Sequence, residues 1–106
     1  MPKFLITGHY TAEGLKGLQK DKASGREKAI AGACAALGGK IESFHYALGP
    51  DDLFLIVDLP GHVQVASLCI AVGASGMFAT RSVPLLTIAE MDQALGKDSK
   101  YRPPGG

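Results

Sequence analysis

The residues best suited to chemistry in this chain are its three histidines, His9, His45 and His62, and several carboxylates close to apolar runs. An imidazole exchanges a proton near neutral pH, and a neighbouring carboxylate can orient it. If the first and third strands lie side by side and run in the same direction, His9 and Asp58 end at one edge of the sheet. An oppositely directed second strand brings Glu42 to that edge, and His62 follows the third strand closely. Two imidazoles and two carboxylates are thus expected together, with His9 and Asp58 as candidate catalytic bases. The pattern has neither HxxxH nor HExxH spacing, so no metal is expected.

A second group lies in and around "FHYALGPDD", residues 44 to 52. Strand alternation is expected to put Glu42, Phe44 and Tyr46 on one face, and His45 on the other. Phe44, Tyr46, Phe54 and Ile56 are the candidate lining of an apolar pocket, with Glu42 at its border. Tyrosine suits that place because its ring is apolar and its tip polar. Arg81 falls mid-strand, where its charge must meet solvent, a carboxylate across an oligomer interface, or a bound anion. It completes the ligand-binding candidates. Asp51 and Asp52 are expected to accept turn N–H groups. There is no nucleophile elbow, P-loop or dinucleotide fingerprint.

The elements that must position these residues follow from pattern. Residues 3 to 10 read as a strand, apolar on both faces. Thr11 can cap a short helix carrying Leu15 and Leu18. Ser24 and Glu27 have capping-box spacing, and Ile30, Ala33, Cys34 and Leu37 form one stripe, giving a helix over 25 to 37 that exits at Gly38-Gly39. Residues 40 to 48 and 53 to 59 read as a hairpin turned by Gly49-Pro50. A helix over 62 to 75 is apolar nearly all round in its C-terminal half, which predicts burial on more than one side. A fourth strand over 77 to 86 is expected to stop near Pro84. Thr87 and Glu90 cap a last helix, 88 to 95, with Leu86 and Met91 at staple positions.

This order, β-α-β-β-α-β with a C-terminal helix, is the split pattern of an α+β, ferredoxin-like fold. Its four-stranded antiparallel sheet is ordered 4-1-3-2, with helices on one face. One sheet face is left bare, and a second copy of the chain is expected to cover it. The C-terminal helix is the other available cover. The 106 residues suffice for one domain, placed over 1 to 96, with the polar, Pro/Gly-rich 97 to 106 as a tail.

Composition narrows the partners. Eleven basic and ten acidic side chains give a formal charge of +1, without the basic patch that nucleic acid requires. The longest apolar stretch, residues 68 to 79, falls short of a bilayer span, and the N-terminus lacks a signal-peptide core. A cytoplasmic protein bound to neither membrane nor nucleic acid is expected. Cys34 and Cys69 are expected as reduced thiols in helices.

The segments "MPKFLITGHYTAEGLKGL", "ALGGKIESFHYALGPDDLFLIVDLP" and "SVPLLTIAEM" resemble the GYD domain family, and the resemblance runs to about residue 96. The Gly-Tyr-Asp that names the family sits at the hairpin turn. Here the turn is Gly49-Pro50-Asp51-Asp52, with an aspartate in place of the tyrosine. The resemblance implies small bacterial proteins of ferredoxin-like fold, similar to the dimeric α+β barrel group; no cofactor is expected. That group includes cofactor-independent monooxygenases, haem-processing enzymes and small-molecule-binding modules. The expectation is an oligomeric module binding a small apolar or aromatic ligand. Its alternatives are a cofactor-free acid–base enzyme acting on an aromatic or carbonyl substrate, and an assembly or regulatory module without ligand.

Overall fold

Phe4 and Ile6, two apart, point to the same side of the first strand, β1 (Lys3–Tyr10). There they join Leu53, Leu55 and Val57 of β3 (Leu53–Asp58) in one buried cluster. The structure, a computed structural model describing residues 1–106, places β1 and β3 at the centre of a four-stranded sheet. β2 (Lys40–Tyr46) and β4 (Phe78–Leu85) form its edges, in the order β2-β3-β1-β4. This is the expected ferredoxin-like arrangement. The helices α1 (Ala12–Ala36) and α2 (His62–Ala74) supply Cys34, Val65 and Leu68 to the core, and α3 (Ile88–Leu95) follows β4. No helix is long and apolar enough to cross a membrane.

All three strand pairings are antiparallel. The expectation that the first and third strands run in the same direction is therefore corrected. The α1 crossover returns β2 in the direction of β1, and the hairpin then reverses β3. Lys3 consequently pairs with Asp58, and Gly8 with Leu53.

The strand that best fits alternation on paper breaks it in space. β2 pairs Ile41 with Val57 but Ser43 with Ile56, a bulge at Glu42. A bulge inserts one residue and shifts every later side chain to the opposite face. Phe44 and Tyr46, paired with Leu55 and Leu53, therefore face the helices rather than the bare side. Phe54 and Ile56 do lie on the bare side, beside Leu5 and Val83. His45, opposite Phe54, is there too.

The helices differ from expectation in three places. α1 runs without a gap from a Thr11 cap to Ala36, kinked at Lys22, whose φ of 66° and ψ of 165° are not helical. Ser24 and Glu27 form no capping box; the second half starts at the kink instead. Ile30, Ala33, Cys34 and Leu37 do pack as one stripe, and Gly38 exits at φ +85°. α2 buries only one side: Val65 and Leu68 are inside, while Val63 and Ile70 are exposed. β4 continues through Pro84, which lies opposite Phe4 on an edge strand, where a proline costs no internal ladder bond.

Candidate functional site

The kink at Lys22 and the tight seating of α1 on the turn before β4 flank a cleft between α1 and α2. Thr11 begins the seating: its N–H donates to the Met77 carbonyl at 2.9 Å, and its hydroxyl donates to the Gly76 carbonyl at 2.8 Å. Gly14 completes it, since a Cβ there would lie 1.9 Å from the Met77 carbonyl oxygen. Beyond this anchor, Gly17, Leu18 and Asp21 form one wall with Ala29 and Ala33, and Ala71 and Val72 of α2, with its C-cap Ser75, form the other. Tyr10, Leu68 and Phe78 make the floor. The cleft volume is about 450 Å³, and ten of its fifteen lining residues are hydrophobic. It lies within the span typical of small-molecule sites, roughly 300–1,000 Å³.

A smaller cavity of about 60 Å³ continues it towards the sheet, reaching Phe44, Leu55, Cys69 and Thr80. Tyr10, Arg26, Ile30, Leu68, Val72 and Phe78 line both spaces. Aromatic contacts stiffen this floor. Tyr10 stands edge-on to Phe78 at 4.8 Å, and Phe44 stacks on Tyr46 at 5.3 Å. The Tyr10 and Tyr46 hydroxyls lie 3.2 Å apart. Burial, and then the bond to Tyr10, raise the Tyr46 phenol above the ordinary tyrosine range.

Arg26 is the cation of this site. Its guanidinium lies 3.5 Å from Asp21, longer than a good charged hydrogen bond, and Arg26 donates no hydrogen bond within the chain. Its donors are therefore free to meet a carboxylate or similar anion at the mouth.

The residues expected from sequence to form one cluster are divided between two ends of the sheet. Glu42 and Asp58 do meet, through Lys3, whose ammonium lies 2.9 Å from each. Asp58 first, and Glu42 second, hold that ammonium above the ordinary lysine range. His62 opens α2 nearby, edge-on to Phe4 at 5.8 Å. His9 is at the far end, opposite Ala79 and exposed on the bare face. Neither His9 nor Asp58 lines the cleft or the inner cavity.

Arg81, expected at an interface or on a substrate anion, is paired with Asp51 inside the chain. The hairpin carboxylates brace β1: Asp52 accepts the Tyr10 N–H at 2.8 Å, and its own N–H donates to the Gly8 carbonyl. Of the pocket residues expected from sequence, Phe44 borders the inner cavity and Tyr46 stacks on it from the helix side. Phe54 and Ile56 are on the opposite side of the sheet.

Sequence reasoning missed Arg26, Asp21, Tyr10 and the small residues of the walls. Gly14 was the available signal, since glycine in a helix that it weakens often marks a close approach, whereas Gly17 has open space around it.

A family model described as the GYD domain matches residues 4–95. No curated protein and no solved structure is detectably similar to the chain.

Proposed function

The chain belongs to the GYD domain family, and from that premise we propose that it is a self-associating small-molecule-binding domain with its site between α1 and α2. The ligand is a small body, aliphatic or aromatic, with one anionic end. The observation that carries this reading is the cleft of about 450 Å³ with apolar walls and a single loosely paired arginine at its mouth. Small wall residues leave room for the body, and Arg26 offers its donors to the anion. Self-association covers the apolar face on the other side of the sheet, where Leu5, Phe54, Ile56 and Val83 lie, and leaves the cleft open.

Titration with anilinonaphthalene sulfonate, an apolar ring system with one anionic group, tests the site. Saturable fluorescence enhancement is expected, lost in Ala71→Phe, which places a ring in the cleft from an exposed wall position. Arg26→Ala should weaken the sulfonate about tenfold or more, the worth of a charged hydrogen bond, and leave an uncharged analogue unaffected. Equal binding by wild type and Ala71→Phe would remove the cleft as the site. Native mass spectrometry of protein from its own host would then report any retained ligand.

A further inference from the structure

We propose that α3 is an exchange arm: the α3 of one copy lies across the bare sheet face of a second copy, and the second copy's α3 is returned in the same way. The inference rests on the self-association read above and names the element that produces it.

α3 is built for contact but buries none of its residues within the chain. Ile88, Met91 and Leu95 fall at i, i+3 and i+7, one apolar row. They are 83%, 45% and 76% exposed, and no residue of α3 is buried. An isolated helix of eight residues is not stable in water by itself. Its start is nevertheless firmly set, because the Thr87 hydroxyl accepts the Glu90 N–H and Glu90 accepts the Thr87 N–H. Such a helix needs an apolar surface to lie on.

The same chain carries an apolar surface without cover. Phe54 and Val83 are 41% and 47% exposed on the sheet face opposite α1 and α2, with Leu5 and Ile56 between them. The two surfaces do not meet within one copy. Only Leu86 and Thr87 separate β4 from α3, and Thr87 is extended (φ −72°, ψ 165°) and held by both bonds of the capping box. With so short a link α3 stands clear of its own sheet face, its apolar row unburied, and the same face of a second copy is open to it.

The exposed area agrees with this. The chain exposes 7193 Å², whereas a compact monomer of its mass, 11.0 kDa, exposes about 5,600 Å². The excess is larger than the roughly 800 Å² that each partner buries in a standard interface.

Sedimentation of the full-length chain at micromolar concentration is the first test. Wild type should run as a dimer, and Ile88→Ser/Met91→Ser/Leu95→Ser should raise the dimer dissociation constant at least about tenfold with its β-sheet circular dichroism retained. The second test mixes a Met91→Cys chain with a tagged Phe54→Cys chain, both carrying Cys69→Ser. Oxidation should link the two different chains. A monomeric wild type would overturn the arm and the self-association together, leaving the cleft to its own titration. A dimer unaffected by the triple substitution, a disulfide only between two Met91→Cys chains, or one formed within a doubly substituted chain would overturn the arm alone. Capture of an unrelated protein by α3 with wild type monomeric would also overturn it.

Discussion

Lys22 sits at φ 66° and ψ 165°, a region essentially reserved for glycine and costing other residues about 1–3 kcal/mol. Lys22→Gly should remove that strain. Against the extra freedom glycine gives the unfolded chain, a net gain of about 1 kcal/mol is expected. A urea midpoint that rises with an unchanged slope would report it, and a lower midpoint would refute it. Gly14 predicts the opposite sign. A Cβ there would come 1.9 Å from the Met77 carbonyl oxygen and 2.9 Å from the Tyr10 ring. Gly14→Ala should therefore destabilise the chain by about 1–3 kcal/mol, as overpacking does, and displace Tyr10 from Phe78. Unchanged stability would mean that α1 does not seat on the turn before β4 as described. Both residues shape the cleft, and neither is legible as such. A lysine carries no sign that its backbone will leave the helical region, and a helical glycine reads first as a weakness. Phe44 borders the inner cavity and Tyr46 stacks beside it, but the bulge at Glu42 decides their face, and nothing in "KIESFHY" announces a bulge.

At the scale of elements, the strands and the last two helices emerge where periodicity and punctuation agree, whereas α1 reads as two helices because nothing announces its passage through Lys22. Gly49-Pro50 turns the hairpin, Gly38 ends α1, and Thr87 with Glu90 starts α3. The direction of β3 follows from these elements only when the crossover and the hairpin are taken together, and that step decides whether His9 can meet Asp58. The one-sided burial of α2 is not legible, because its apolar C-terminal half is the same whether or not a partner covers it. The capping box of α3 gives a pH prediction. Hydrogen bonds from the Thr87 backbone and then its side chain hold the Glu90 carboxyl below the ordinary glutamate range. The ionised form is thus favoured in the folded state. Its contribution is complete above the ordinary glutamate pKa, about 4.3, and fades as pH falls through the lowered folded-state value. Nuclear magnetic resonance should show the Glu90 carboxyl titrating low, with the Thr87 amide signal moving in step. A Glu90 that titrates at or above the ordinary value would mean that the box is open.

For the whole molecule, shape and surface bear on the proposed association. The radius of gyration is 16.9 Å, against about 13 Å for a compact chain of this length, and the longest dimension is 57 Å. Only fourteen residues are buried within one copy. If a second copy supplies the missing cover, folding and association are linked by mass action, and the thermal midpoint must rise with protein concentration. Each tenfold increase adds about 1.4 kcal/mol to the dimer relative to its separated chains, enough to move the midpoint by a few degrees. If the contact joins Ile88, Met91 and Leu95 to Phe54, Ile56 and Val83, as proposed, added sulfate should strengthen it, whereas an interface of ion pairs would weaken with salt. Differential scanning calorimetry across two decades of concentration, with and without sodium sulfate, measures both effects. A midpoint independent of concentration, in a particle sedimenting as one chain, would mean that the apolar sheet face stands in water unaided.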